Sequence, residues 1–108
     1  MSKYVLAYYG GGMGATEEEQ AAIMNKWFGW FGGLGSDLVD GGLPFSGAAK
    51  TIASDGSASD GAIGTPATGY SIINADSIDS AAEKAKGCPV LDTGGQLVVY
   101  ETVDMPAS

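Results

Sequence analysis

The sequence predicts a single α+β domain in which an antiparallel sheet carries two helices on one face. Short runs rich in β-branched and aromatic residues alternate with two stretches whose apolar residues recur at helical spacing. Pairs and triplets of glycine fall between these segments, where turns are expected. The 108 residues suit one domain. We assign residues 1–103 to that domain and residues 104–108 to a C-terminal tail.

The first strand and the first helix have the strongest patterns. Residues 3–9 are almost entirely apolar or aromatic and run into three glycines, which predicts a strand. Thr16 then begins a helix, because its hydroxyl can accept a hydrogen bond from the amide of Glu19 while the Glu19 side chain reaches back. Gly35 is expected to end this helix. The apolar stripe of the helix consists of Ile23, Trp27, Trp30 and Leu34.

The middle of the chain predicts shorter elements. Residues 37–40 form a short second strand that ends at paired glycines. Residues 49–54 can pair with residues 57–59, because Asp55 and Gly56 between them suit a tight turn. Residues 69–74 form a further strand with the composition of a buried element.

A second helix and a last strand complete the domain. Either Asp76 or Ser77 caps the helix, and Gly87 closes it ahead of a proline. Its apolar stripe consists of Ile78, Ala81, Ala82 and Ala85. Residues 96–101 form the last strand. The element order is that of a split β-α-β, or ferredoxin-like, domain, in which two helices cover one face of a four-stranded antiparallel sheet.

Both faces of the predicted sheet are apolar, and this predicts a dimer. Because successive strand residues point to opposite faces, each strand divides into two sets, and the two helices can cover only one face. A large apolar patch left open is unusual on a soluble monomer, so we expect a second copy to pack on it, sheet against sheet. The two sets in the first strand are Tyr4, Leu6, Tyr8 and Val5, Ala7, Tyr9; in the last strand they are Leu97, Val99 and Val98, Tyr100.

The charge and composition of the chain argue against some classes of binding partner. Five basic and 13 acidic residues give a formal charge of -8, which repels nucleic-acid backbones and anionic membrane surfaces. No secretory signal and no apolar run of membrane-spanning length is apparent, so we expect a cytoplasmic protein. Cys88 is the only cysteine, and we interpret it as buried and inert.

The ordered blocks of the chain resemble the YCII-related and DGPF-type families, small proteins of the dimeric α+β barrel group. The resemblance covers most of the chain, and it depends on the order of the blocks rather than on any one of them. The matching blocks are KYVLAYYG at 3–10, TEEE at 16–19, LVDGG at 38–42, SDG at 59–61, GYSIINADS at 69–77, AKGCP at 85–89 and GGQLVVYE at 94–101.

The resemblance implies a homodimeric barrel with pockets between the sheet and the helices. Some relatives are thought to use a histidine and aspartate pair, and one lineage removes chloride from an aromatic ring. This chain has no histidine. Asp40 matches the acidic member of the pair, whereas residues 24–27 occupy the helix that would carry the histidine. The namesake motif continues with Pro-Phe where this chain has Ala62 and Ile63 after Asp60 and Gly61.

Two further motifs predict little chemistry. Residues 10–15 have the spacing of a dinucleotide-binding loop, but three glutamates follow in the first helical turn and would repel a pyrophosphate. Residues 55–66 resemble a calcium loop, but Asp60 and Pro66 occupy the positions of its glycine and glutamate. Zinc and non-haem iron sites usually need histidine. We therefore predict neither a cofactor nor a metal.

Three functions remain open. The first is a homodimer that binds a small apolar or aromatic molecule in a pocket between helix and sheet, with Trp27, Phe28 and Asp60 as candidate ligand-binding residues. The second is a lyase or isomerase that works without metal or nucleotide, in which Asp40 and a tyrosine, Tyr8 or Tyr9, transfer protons. The third is a regulatory or structural partner domain.

Overall fold

The computed structural model describes residues 2–12 and 14–105. Met13 in the glycine-rich motif and residues 106–108 of the predicted tail lie outside the described residues. The elements are β1 (Ser2–Tyr9), α1 (Glu17–Leu34), β2 (Leu38–Asp40), β3 (Lys50–Ile52), β4 (Ala58–Asp60), β5 (Gly69–Ala75), α2 (Ile78–Ala85) and β6 (Gln96–Glu101). Short 3₁₀ turns follow α1 at Gly35–Asp37 and α2 at Pro89–Thr93.

The main sheet confirms the predicted α+β class. Its strand order is β2-β5-β1-β6, and every neighbouring pair is antiparallel. This order, with both helices on one face, is compatible with a ferredoxin-like domain. β3 and β4 pair only with each other in a separate two-stranded sheet. Their register around the Asp55 and Gly56 turn is the predicted hairpin.

The core lies between the main sheet and α2. Alternate residues of β1 and β5 face this side, and they are fully or nearly fully buried. Leu97 and Val99 of β6 pack against the same core. The core residues are Tyr4, Leu6, Tyr8, Ile73, Ala75, Ala81, Ala85, Cys88 and Val90.

α2 packs closely because its sheet-facing residues are small. The Ser77 hydroxyl accepts a hydrogen bond from the Ser80 amide, so Ser77 is the cap that the sequence left open between two residues. Ala81 and Ala85 are buried against the sheet. Ile78 is 44% exposed, so the prediction that it belongs to the apolar stripe of this helix is wrong. It occupies the first position of the helix, beyond the part that the alanines press onto the sheet.

α1 has the predicted ends and stripe but packs more loosely. The Thr16 hydroxyl accepts from the Glu19 amide at 3.1 Å, and the Glu19 carboxylate accepts from the Ala15 amide at 2.8 Å. The Gly35 amide donates to the Phe31 carbonyl at the other end. Ile23, Trp27, Trp30 and Leu34 are all half-buried, and no residue of this 18-residue helix is fully buried.

The other side of the main sheet carries the second apolar set, as the sequence predicts. We call this side the open face; its apolar and aromatic residues are Val5, Ala7, Tyr9, Tyr70, Ile72, Val98 and Tyr100. Val98 and Tyr100 are 40% and 51% exposed. In the part of the chain that the structure covers, neither helix is long and apolar enough to cross a membrane.

Candidate functional site: a cavity between the first helix and the sheet

A cavity of about 480 Å³ separates α1 from the end of the main sheet. Its size falls within the usual range of small-molecule sites. Five stretches of chain surround it: the end of β1 and the glycines after it, α1, the loop after β2, the start of β5, and the 3₁₀ turn after α2. The lining residues are Tyr8, 10–12, Met24, Trp27, Phe28, Phe31, 41–45, 68–70, Val90 and Thr93.

The wall formed by α1 is aromatic, because large rings follow one another at helical spacing. The Trp27 ring lies edge-on to Tyr8, with centroids 5.1 Å apart, and 5.7 Å from the Phe31 ring. Phe28 is 62% exposed although it lines the cavity, so one side of its ring is available at the mouth. These side chains hold the helix away from the sheet and leave the space between them open.

Trp30 fixes the far end of α1 to α2. Its indole N–H donates to the Lys84 carbonyl at 3.1 Å, at the C-terminal end of α2. The Lys84 ammonium in turn pairs with the Asp37 carboxylate at 3.1 Å, and both side chains are half-buried. A Cβ added at Gly87 would lie 3.2 Å from the Trp30 ring, so this glycine admits the indole. These contacts hold the C-terminal end of α1 against α2, while the middle of α1 spans the cavity.

A chain of buried hydroxyls begins at the cavity lining with Tyr8. The Tyr8 hydroxyl donates to the Ser71 hydroxyl at 2.7 Å, and Ser71 donates to the Gly41 carbonyl at 2.7 Å. Burial raises the pKa of Tyr8 above its ordinary value. Tyr8 therefore stays protonated at neutral pH, and its proton is directed to Ser71.

The loop after β2 forms a second wall and is held by a close backbone contact. Gly42 has a positive φ of 73°, and a Cβ there would lie 1.7 Å from the Tyr70 carbonyl oxygen. Only glycine permits this approach. The Asp40 carboxylate accepts a hydrogen bond from the Gly42 amide at 2.8 Å, which stabilises the same turn. Phe45 continues the wall, and its ring stacks 5.9 Å from the Tyr70 ring.

Two threonine hydroxyls are among the polar side-chain atoms of the lining. The Thr68 hydroxyl donates to the Gly10 carbonyl at 3.0 Å, and the Thr93 hydroxyl donates to the Val90 carbonyl at 3.2 Å. Each oxygen keeps the capacity to accept a further hydrogen bond. The described lining contains no aspartate, glutamate, lysine or arginine. The cavity is therefore suited to a molecule without charge that carries a hydrogen-bond donor.

The structure brings three of the six sequence-predicted site residues to this cavity. Tyr8, Trp27 and Phe28 line it. Asp40 stands one residue before the lining, with a carboxylate oxygen that accepts from the Gly42 amide. Tyr9 lies on the open face, where the neighbouring Tyr100 hydroxyl raises its pKa. Asp60 lies in the β3–β4 hairpin and pairs with Lys50 at 2.7 Å. Among the described residues no hydrogen bond joins Asp40 to Tyr8 or Tyr9, and Tyr9 faces the opposite side of the sheet from Tyr8.

Cys88 is buried beside the hydroxyl chain. It is 2% exposed, and burial raises the pKa of its thiol to about 11. The thiol is therefore protonated at neutral pH, in keeping with the sequence interpretation of an inert cysteine.

Several lining residues were missed by sequence reasoning. The sequence predicts residues 10–12 as a turn between strand and helix with the spacing of a nucleotide-binding loop, and the structure places them in the lining of the cavity. Phe45 was not considered, although the apolar residues 43–45 directly after two glycines are a signal for a buried or binding loop. Thr68 and Thr93 carry no signal, because only the fold brings these two distant hydroxyls together.

The described part of the chain has no cluster of three or more residues that could hold a metal ion. A comparison with models of known protein families finds no match to this chain, and a comparison with curated proteins finds none either. The cavity and the open face are thus the features on which a function can be argued.

Proposed function

We propose that this protein binds a small, uncharged aromatic molecule in the cavity between α1 and the main sheet. The observation that carries the proposal is the lining: a half-open space of about 480 Å³ lined by rings from several elements, with no acidic or basic side chain among the described lining residues. Aromatic walls favour a flat apolar ligand, because ring contacts add to the gain from burying apolar area.

The uncharged lining and the negative net charge of the chain both favour a ligand without charge. A charged group moved into an apolar site without a partner loses its hydration and gains little in return. The formal charge of -8 adds a long-range repulsion for anions. The accepting oxygens of Thr68 and Thr93 offer a place for one hydroxyl or amine of the ligand. A phenol-like or indole-like molecule meets these conditions.

A matched pair of probes tests the ligand class. We expect 2-naphthol, which is uncharged at pH 7, to bind in a calorimetric titration, and 2-naphthoate, its carboxylate analogue, to bind at least about tenfold more weakly because its charge is unpaired. Equal affinity of the two probes, or no binding of 2-naphthol at millimolar concentration, would contradict the proposal.

Two variants locate the binding. Phe28→Ala removes an exposed ring from the mouth of the cavity, and we expect it to weaken 2-naphthol binding about tenfold, since burial against an aromatic ring is worth one to two kcal/mol. Leu91→Ala is the control, because Leu91 is 44% exposed and is not a lining residue. The control should bind as the unmodified protein does.

We further propose that the protein is a homodimer joined through the open face. The chain exposes 7142 Å², about 1,500 Å² more than the roughly 5,600 Å² expected of a compact monomer of this mass. A stable interface commonly removes about 800 Å² from each partner. The open face carries no charged residue among its central positions, so two copies of an acidic chain can meet there.

Sedimentation velocity tests the dimer. We expect a particle of twice the chain mass of 10.9 kDa at micromolar concentration. Val98→Lys should dissociate it, because a lysine on the open face would be buried in the interface without a partner. Ile78→Lys on α2 is the matched control and should leave the dimer intact. A monomer in the unmodified protein would contradict this part of the proposal.

The dimer and the ligand cavity agree with the resemblance to the YCII-related and DGPF-type families. We propose membership of that group on the order of the sequence blocks, supported by a strand order compatible with a ferredoxin-like domain.

A further inference from the structure

The segment from residue 46 to residue 66, which contains the β3–β4 hairpin, contributes nothing to the core of the subunit. We call it the hairpin arm. Every residue of the arm is exposed except Thr51, which is half-buried. The hydrogen bonds found for the arm stay within it: Thr51 donates to the Gly61 carbonyl, the Gly61 amide donates to the Ala49 carbonyl, and Lys50 pairs with Asp60. No core residue comes from the arm.

An arm of this kind is not expected to hold its shape alone. β3 and β4 have three residues each, and an isolated two-stranded hairpin is marginally stable in water. The arm nevertheless exposes large apolar side chains: Ile52 is 64% exposed and Ile63 is 84% exposed. Nothing in the described subunit buries these two side chains, so both are available to a partner.

The position of the arm indicates what covers it. It leaves the main sheet at Phe45, whose amide donates to the Thr68 carbonyl. On its return, Ile63 and Thr65 lie beside Tyr9 and Val98 in a shallow cleft on the open face. The arm therefore continues the open face at one end of the sheet, and it lies on the side that the proposed homodimer closes.

Charge favours a second copy as the occupant. Of the 13 acidic residues in the chain, only Asp55 and Asp60 belong to the arm. Asp60 is paired with Lys50, and Asp55 is held by the Ser57 amide and hydroxyl. With Lys50 against Asp55 and Asp60, the arm carries a net charge of -1 out of the formal charge of -8 of the chain. It can approach another copy of the same chain without strong repulsion.

We propose that the hairpin arm is an intersubunit clasp, in which Ile52 and Ile63 of one subunit pack on the second copy at the edge of the open-face interface. This inference rests on the proposed homodimer. The surface excess of about 1,500 Å² for the whole chain is larger than the roughly 800 Å² that a standard interface removes from each partner, so there is surface for contacts beyond the open face. The arm begins at Phe45, so the clasp also places one wall of the cavity next to the dimer contact.

Two variants test the clasp. We expect Ile52→Ser and Ile63→Ser each to raise the dissociation constant of the dimer about tenfold or more in sedimentation velocity, because each apolar contact occurs twice in a symmetric pair. Leu91→Ser is the matched control, since Leu91 is similarly apolar and exposed but lies on the helix side. The control should leave the dissociation constant unchanged. Unchanged dissociation constants in both arm variants would overturn the clasp while leaving the open-face dimer in place.

Amide hydrogen exchange provides a second measurement that does not depend on these substitutions. The Ala53 and Gly61 amides close the hairpin through the Ser57 and Ala49 carbonyls. We expect both amides to be protected in the dimer and to exchange at least about tenfold faster when the unmodified protein is diluted to its monomer, because an undocked two-stranded hairpin is marginal. Equal protection in both states would overturn the clasp. A monomer in the unmodified protein would overturn both the clasp and the dimer, with the ligand proposal unaffected.

Discussion

α1 and α2 cover the same face of the same sheet, yet they pack on it in opposite ways. α2 has eight residues and presses Ala81 and Ala85 onto the strands, so that both are buried. α1 has 18 residues and presents Trp27, Phe31 and neighbouring rings, and none of its residues is fully buried. Small side chains bring a helix close to a sheet, whereas large rings hold it away. One helix therefore completes the core and the other borders a cavity.

The part of the helix layer under α1 and the part under α2 therefore differ in what they contribute. The half under α2 supplies stability, because its packing is dense and its polar groups are paired. The half under α1 leaves the cavity that we propose as the binding space. α1 also contains Gly29, Gly32 and Gly33, which lower its intrinsic helix stability. A Cβ at each of these glycines would meet nothing within 4 Å, so close packing does not require them.

The largest effect is expected from overfilling the tight half. Ala81→Leu adds three carbon atoms at a position that is 0% exposed, and we expect the free energy of unfolding to fall by about 3 kcal/mol. Urea denaturation measures the change. Ala22→Leu makes the same substitution at an exposed position of α1, and it should change stability by less than about 0.5 kcal/mol. Similar losses of unfolding free energy in the two variants would contradict the claim that α2 packs more tightly than α1.

The hydroxyl chain that begins at Tyr8 predicts a smaller loss. Tyr8→Phe removes the hydrogen bond to Ser71 at 2.7 Å and leaves a buried oxygen with one partner fewer, so we expect a loss of about 1.5 kcal/mol in unfolding free energy. Tyr100→Phe is the control, because Tyr100 is 51% exposed on the open face. Tyr100→Phe should lose much less unfolding free energy than Tyr8→Phe. A loss in Tyr8→Phe no larger than in the control would show that the chain does not contribute to stability.

Tyr8→Phe should also change how the free energy of unfolding depends on pH above pH 10. Burial raises the pKa of Tyr8 above the value of 10.0 in the unfolded chain, so ionisation favours unfolding. The stability contributed by neutral Tyr8 is complete below pH 10 and is lost as the pH rises towards the folded pKa. We expect the stability of Tyr8→Phe to fall less steeply above pH 10 than that of the unmodified protein. Parallel pH curves would contradict the assignment.

Most of the fold could be predicted from local patterns, and the reasons are physical. The strand over residues 69–74 and the stripe of α1 follow from side-chain periodicity, which any helix or half-buried strand imposes. The two helix caps follow from side chains that bond amides three residues away. Contacts such as Tyr8 with Ser71, 63 residues apart, have no local signal. Only the strand pairing of the folded sheet brings them together.

The candidate site was predicted less completely for the same reason. Trp27 and Phe28 could be singled out because four rings in five helical positions cannot all enter one core. The size of the cavity depends on how far α1 stands from the sheet, and that distance is set by contacts such as Trp30 with the Lys84 carbonyl. The separation of Tyr9 from Tyr8 is a matter of strand alternation, which places adjacent residues on opposite faces.

The smallest effect is a gain in stability in the loose half. Gly29→Ala should raise the free energy of unfolding by up to about 1 kcal/mol, because alanine is a better helix former and the new methyl group has space. Thermal unfolding measures the gain as a higher midpoint. Gly42→Ala is the contrasting variant, since its methyl group would overlap the Tyr70 carbonyl at a positive φ. It should destabilise the protein, and a gain there would contradict the geometry of the cavity wall.

The position of a bound probe tests the central claim most directly. Nuclear Overhauser contacts between 2-naphthol and the protein report which protons lie next to the ligand. The account predicts contacts to the rings of Trp27 and Phe28 and to the Tyr8 ring, with none to the methyl group of Ala81 under the tightly packed α2. Contacts confined to Val98 and Tyr100 on the open face would contradict it.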